Sequence, residues 1–382
     1  MMDGVILGIA AGLVLWAVSE EVARYFLARS KYRVWLPSFR IQNELLAEVF
    51  PNLSSKAEFA INSDGERGGE PPLSDEHLYR VLVAGGSAAE CYFLDQAECW
   101  PMRLQRSMET PEALSKLGAT RVHVGSIARS GFDSAKLHLA LRRVIPQYSK
   151  VDAVVIMVGA SNIYSWLADG AQENPRFSAP QAKDVFECHP ETRYAWYPLK
   201  RNALAQCWRI LRPRLSCFDT RRMNVGASVT RLREMRRQAK TIKTEVPVPK
   251  VMLDNFAKSL EGCINTCRDA GARVLVIIQP WLDARALTDD EKLRMWNGAE
   301  GNAYSRTVST YYSLEVLAQL CAELSEVAAR VAEKTGAGIV RVQSLLRPPA
   351  DCFYDDNHFT PFGAEIVARA VNTELLERSS AR

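Results

Sequence analysis

The chain has 382 residues, 47% of them hydrophobic and 24% charged, with a formal net charge of +4. These proportions belong to a folded protein and exclude a disordered or fibrous chain, and so small a net charge gives no sign of a nucleic-acid partner. Nine cysteines, an odd number and scattered apart from Cys263 and Cys267, predict buried thiols rather than a disulfide framework or a metal knuckle.

The first element is apolar. Residues 4–18, GVILGIAAGLVLWAV, carry no charge, and Trp16 stands near their end, where an interfacial aromatic belongs. The run is short for a span of about 20 residues, but SEEVARYFL extends it at helical spacing through Val22, Tyr25 and Phe26. Residues 1–28 are therefore expected to form a single-pass membrane anchor whose end lies on the bilayer surface. A buried core helix is the alternative; a cleaved leader fits less well, because MMDG has no basic residue and no A-x-A site follows at once. Arg24, Arg29, Lys31 and Arg33 follow the run and none precedes it, which by the positive-inside rule puts the main domain in the cytoplasm.

Residues 29–78 read as a lead-in and linker ending in the polar INSDGERGGEPPLSD. From there to residue 382 the pattern is that of one α/β domain. Short runs rich in Val and Ile, YRVLVAGGS (79–87), TRVHVGS (120–126), DAVVIMVGAS (152–161), ARVLVIIQP (272–280) and GIVRVQS (338–344), alternate with stretches of helical period such as SAKLHLALRRVI and LDNFAKSLEGCINTCRDAG. Apolar strands alternating with helices predict a three-layer α/β/α fold around a parallel sheet of about five strands. Between the third and fourth strands an insertion is expected over about 165–250. Its stretch 201–243 is strongly basic, with Asp219 and Glu234 its only acidic residues. A solvated basic helix is one reading of it; a face for anionic lipid or an acidic substrate is the other.

In an open parallel sheet, ligands bind at the carboxyl ends of the strands. The first strand delivers Gly85-Gly86-Ser87 there, glycines that let the chain turn sharply and a serine opening a helix, which suits a nucleophile and equally a helix cap. The second is followed by ARSGFDSAK with Gly131, and the third by Ser161 and Asn162. Near the C-terminus YDDNHFTPFGAE sets Asp355 three residues before His358, one of only five histidines. A serine hydroxyl needs a base to take its proton, and histidine serves near neutral pH when a carboxylate holds its other nitrogen. Tyr164, Trp166, Trp281 and Trp296 are candidates for the mouth of such a site, to bind a sugar or an acyl chain.

In this order GGS (85–87), RSGFDS (129–134), GASN (159–162) and DDNH (355–358) resemble the four blocks of the SGNH, or GDSL-type, hydrolases, and GGSAAECYFLDQAECWPMRLQ with FYDDNHFTPFGAEIVA is similar to their membrane-anchored bacterial members. The resemblance leaves out the N-terminal helix and is faint in the basic insertion. It implies a flavodoxin-like fold and a serine esterase or deacylase needing no cofactor or metal, with Ser87 as nucleophile, His358 as base and Asp355 as its partner. The oxyanion hole would comprise the N–H groups of Ser87 and Gly131 and the amide of Asn162, or the Ser161 hydroxyl, because the family's G-x-N-D falls on Gly159-Ala160-Ser161-Asn162 without a gap. An O-acyltransferase and a non-catalytic binding or assembly protein are the alternatives. The resemblance also favours envelope ester substrates and an outward-facing domain, against the cue from the basic residues.

Overall fold

In the computed structural model, which describes residues 2–191, 194, 196, 199–215, 223–283 and 287–377, the five apolar runs form strands Leu78–Gly85, Arg121–Ser126, Ala153–Met157, Arg273–Ile277 and Gly338–Val340. Neighbouring strands are all parallel, and they lie in the order second, first, third, fourth, fifth. This is the flavodoxin-like order, in which the winding reverses between the first and third strands and opens a crevice at their carboxyl ends.

Strand side chains alternate between two covered faces, which is why the runs are apolar throughout. Val81, Val83, Val155, Met157, Leu275 and Ile277 meet the layer of helices Trp100–Met108 and Pro361–Glu377. Their neighbours Leu82, Ala84, Val154, Ile156, Val274 and Val276 meet Ser134–Val144, Lys250–Asp269 and Leu314–Thr335 on the other side. Each fully buried Val, Leu or Ile contributes about 1.5–3 kcal/mol, so the two layers hold the strand ends firmly in place. The expected three-layer fold is the one the chain forms.

Two segments depart from the sequence reading. Residues 29–78 are no mere linker: Arg40–Glu44 and Lys56–Ala60 pair antiparallel, Met223–Asn224 joins them in parallel, and Ile41, Phe59 and Ile61 close a small core. From the same segment the buried Arg67 donates to the carbonyls of Glu90, Cys91 and Leu94, just behind the Ser87 turn. The basic insertion contains helices Ala203–Leu215 and Val225–Arg237; its residues 216–222 lie outside the described ones. On the second helix three of the four arginines are not a solvated face; the fourth, Arg237, is exposed and pairs with Glu234. Arg231 donates to the carbonyls of Ala303 and Tyr304, Arg233 to those of Arg294 and Val49, and Arg236 to those of Asn297 and Tyr312. The segment 294–312, irregular as far as the short strand Thr310–Tyr312, has carbonyls left for side-chain donors, and the planar fork of arginine supplies them.

The N-terminal helix runs from Met2 to Leu27. Among the described residues it is the one helix long and apolar enough to cross a membrane, over Gly4–Leu27, and most of its apolar side chains stand exposed, Ala23 and Leu27 being buried. The eight described cysteines are free thiols, six of them buried.

Candidate active site

The first strand can end where it does only because of glycine: a Cβ on Gly85 would lie 2.0 Å from the Met157 carbonyl oxygen of the third strand. The chain then passes through extended Gly86 into the short helix Ser87–Glu90, so that Ser87 stands at its first position. Its Oγ is 2.7 Å from His358 Nε2.

The histidine is carried by a self-contained turn. Asp355 Oδ1 accepts the N–H groups of Asn357 at 2.9 Å and His358 at 2.7 Å, and its Oδ2 lies 2.6 Å from His358 Nδ1. A spacing of three lets one carboxylate hold both the backbone and the ring, as aspartate does in turns generally. The carboxylate is wholly buried while the ring is 18% exposed, so its Nε2 edge is open to the cleft. Burial alone would lower the imidazole pKa. The charge and hydrogen bond of Asp355, with smaller contributions from Asp356 and Glu90, oppose it, and the net shift is upward. The Tyr354 ring stacks on the imidazole at 5.5 Å and 8°, and Trp296 stacks on Tyr354 at 6.4 Å.

Gly131 has φ +77, a conformation that favours glycine. The turn before it is clamped: Ser130 donates its N–H to Glu90 Oε2 at 2.7 Å, and its hydroxyl bonds the same oxygen. Glu90 is buried, and desolvation raises its carboxyl pKa against the lowering effect of Ser130. Among the described residues, the N–H groups of Ser87 and Gly131 have no protein acceptor.

In the third block the structure reverses the expected preference. Asn162 does not point to Ser87: its Oδ1 accepts the Ser134 N–H and its Nδ2 donates to Ser134 Oγ, both at 3.1 Å, joining two helix starts in the interior. The amide oxygen and one of its two N–H donors are thus held in the interior, and Asn162 does not line the cleft. Ser161 borders the cleft instead, its Oγ 3.8 Å from where a Cβ on Gly86 would be.

Ser87, Gly131, Ser161 and His358 share one half-open cleft of about 840 Å³. Tyr164 and Trp296 are on its wall, as expected, together with Tyr92, Phe93, Tyr304 and Tyr354. Trp166 and Trp281 are not. Trp166 is buried with its indole N–H on the Gln172 carbonyl, and Trp281 pairs through its backbone with Gln343. Sequence reasoning missed Glu90, Tyr354 and the role of Asp356. The last accepts from Asn297 at 2.6 Å and bonds the Tyr164 hydroxyl, and burial raises its pKa to about 6 although His358 pulls it down. Only the adjacency of Asp356 to Asp355 marked it, and nothing in sequence marked Glu90.

No family model matches the chain, nor does any curated protein. Solved structures with similarity to it include a lipase/acylhydrolase from Enterococcus faecalis at 13% identity, covering 78% of this chain and 96% of that one with a TM-score of 0.39. An acetylxylan esterase from Geobacillus stearothermophilus is 14% identical, covering 78% and 94% with a TM-score of 0.40. A member of the lipolytic G-D-S-L family from Veillonella parvula is 9% identical, covering 77% and 96% with a TM-score of 0.40. Likenesses this distant carry no weight for the chemistry, which rests on the geometry of the site.

Proposed function

We infer that the chain is an ester hydrolase of the SGNH type, with Ser87 as nucleophile, His358 as general base and Asp355 as the group that orients the imidazole and stabilises the charge it acquires in the reaction. The hydrogen-bonded line from Asp355 through His358 to Ser87 Oγ, opening on a cleft beside two N–H groups without acceptors, carries this reading. His358 takes the Ser87 proton as Oγ attacks the ester carbonyl carbon. The oxyanion forms against the N–H groups of Ser87 and Gly131 and the Ser161 hydroxyl, donors already in place before reaction. His358 then returns the proton to the leaving alcohol, and a water activated by the same nitrogen hydrolyses the acyl-enzyme.

An acceptor alcohol in place of that water would make the same site an O-acyltransferase. The aromatic wall of Tyr92, Phe93, Trp296 and Tyr304 supports a substrate with a sugar ring or an acyl chain to lay against it, such as a cell-envelope lipid or carbohydrate ester. We read Met2–Leu27 as a membrane anchor that keeps the cleft near such substrates. The discriminating experiment is labelling of the intact protein with a fluorophosphonate. Labelling that is lost in Ser87→Ala is expected; an unlabelled wild-type protein would favour a binding or assembly role on the same fold.

A further inference from the structure

The last turns of the N-terminal helix have two apolar faces. Ala23 and Leu27 are buried, with Glu20, against the helix Ala203–Leu215, which meets them through Ala203, Leu204, Cys207 and Ile210. On the opposite side Val18, Val22, Tyr25 and Phe26 are each exposed by half or more. A helix on the surface of a water-soluble domain keeps one apolar stripe toward the core and a polar face outward. Here the outward face is largely apolar as well, its one charge being exposed Glu21, which Arg24 meets at 3.4 Å.

Glu20 fastens the two helices together. Its carboxylate accepts the first N–H groups of the second helix, from Ala203 at 2.7 Å and Leu204 at 3.0 Å, and is neutralised by Arg24 at 2.8 Å. A negative group at a helix N-terminus is favourably placed against the helix dipole. The helix Ala203–Leu215 is thus held beside residues 20–27. Its outer face presents Trp208 and Leu211, three positions apart, at 61% and 46% exposure. Leading into it, exposed Trp196 packs edge-on to Trp16 at 5.1 Å and lies under the Arg24 guanidinium.

We propose that Ala203–Leu215 is a second membrane contact, a collar that presses Trp208 and Leu211 into the lipid interface where the anchor leaves it. The proposal rests on reading Met2–Leu27 as a membrane helix. Lengths agree: Gly4 to Phe26 spans roughly 33 Å at 1.5 Å per residue, against a hydrocarbon core of about 30 Å. Lipid that covers the exposed stripe as far as Phe26 therefore reaches the collar packed alongside it. Tryptophan is the residue that favours this depth. The contact is apolar, through Trp208 and Leu211: Arg209 on the same helix is engaged by Glu187, Arg231, Arg233 and Arg236 of Val225–Arg237 donate to carbonyls of the domain, and Arg237 pairs with Glu234.

The test uses the full-length protein in phosphatidylcholine vesicles containing acyl-brominated lipid, which quenches tryptophan emission on contact. Trp16, Trp196 and Trp208 are the lipid-side tryptophans, so Trp208→Phe is expected to remove about a third of the quenched emission, and salt at about 1 M is expected to change nothing. If Trp208→Phe is quenched like wild type while Trp16→Phe loses quenching, the collar is wrong and the anchor stands. If brominated lipid quenches neither protein, the anchor reading fails and takes the collar with it. Shielding of Trp208 that grows with protein density in the vesicles would put a second copy of the chain on this face and overturn the proposal.

Discussion

Replacing Asn162 and Ser161 separately by alanine distinguishes an amide that stabilises the fold from a hydroxyl that serves the reaction. Asn162→Ala leaves the Ser134 N–H and hydroxyl without their partner, and Ser134 is wholly buried at the first position of its helix. Two lost hydrogen bonds at about 1 kcal/mol each, with some desolvation penalty for the orphaned N–H, give about 2–3 kcal/mol. In a large domain, at about 2 °C per kcal/mol, that is a fall in Tm of about 4–6 °C, with kcat changed no more than a few-fold. Ser161→Ala removes a donor at the cleft surface. It is expected to leave Tm unchanged and to lower kcat by about 100-fold at little cost in KM, the signature of a contact made in the transition state. Steady-state hydrolysis of p-nitrophenyl acetate, with a melting curve for each variant, separates the two effects. A hundredfold loss of kcat in Asn162→Ala at unchanged Tm would refute the assignment, because it would mean that the amide serves the oxyanion rather than holding Ser134.

Four further outcomes follow from the same geometry. Ser87→Ala and His358→Ala should each abolish turnover with the melting curve retained; near wild-type activity in either removes the mechanism. Because the net shift of His358 is upward and the base must be neutral, kcat/KM should fall as pH drops through a value above 6.5, and in Asp355→Asn this limb should move down while the rate falls by up to about 10,000-fold. The same raised pKa stabilises the fold below the unfolded value of His358, and that contribution is lost as pH rises through the folded one. Glu90→Ala should lower kcat about tenfold or more by freeing the Ser130–Gly131 turn, with Glu90→Gln, which keeps an acceptor for the Ser130 N–H, recovering part of it; equal losses in both would point to the charge instead. Asp356→Asn should cost less than Asp355→Asn in kcat, and equal losses would remove the distinction between the two carboxylates.

The parts legible in sequence were those written in short stretches. Five apolar runs, the first three ending in glycine, gave the sheet and the edge where the site lies, and a carboxylate three residues before a histidine could be read as a turn that holds the ring. What stayed hidden depends on partners far along the chain. Asn162 and Ser161 are adjacent, and which of them faces the cleft is decided by Ser134, 28 residues away, competing for the amide. The arginines of Val225–Arg237 look like a solvated face until the carbonyls of residues 294–312 are set beside them. Residues 29–78 read as polar connection because the partners of Ile41 and Phe59 come from two brief strands, and a buried Arg67 has no signature distinguishing it from an exposed one.

The cleft rim is gripped through its peptide groups. Every bond that Arg231, Arg233 and Arg236 make to residues 294–304 ends on a main-chain oxygen, and such an oxygen is present whatever side chain stands at that position. Substitutions at Trp296, Asn302 or Tyr304 can therefore alter what the rim offers a substrate while its course in space is kept, provided that the new residue accepts the same backbone angles. Homologues that keep these three arginines would be free to diverge along the rim and change substrate preference at little risk to folding, which makes this loop a suitable place to randomise when altered selectivity is sought.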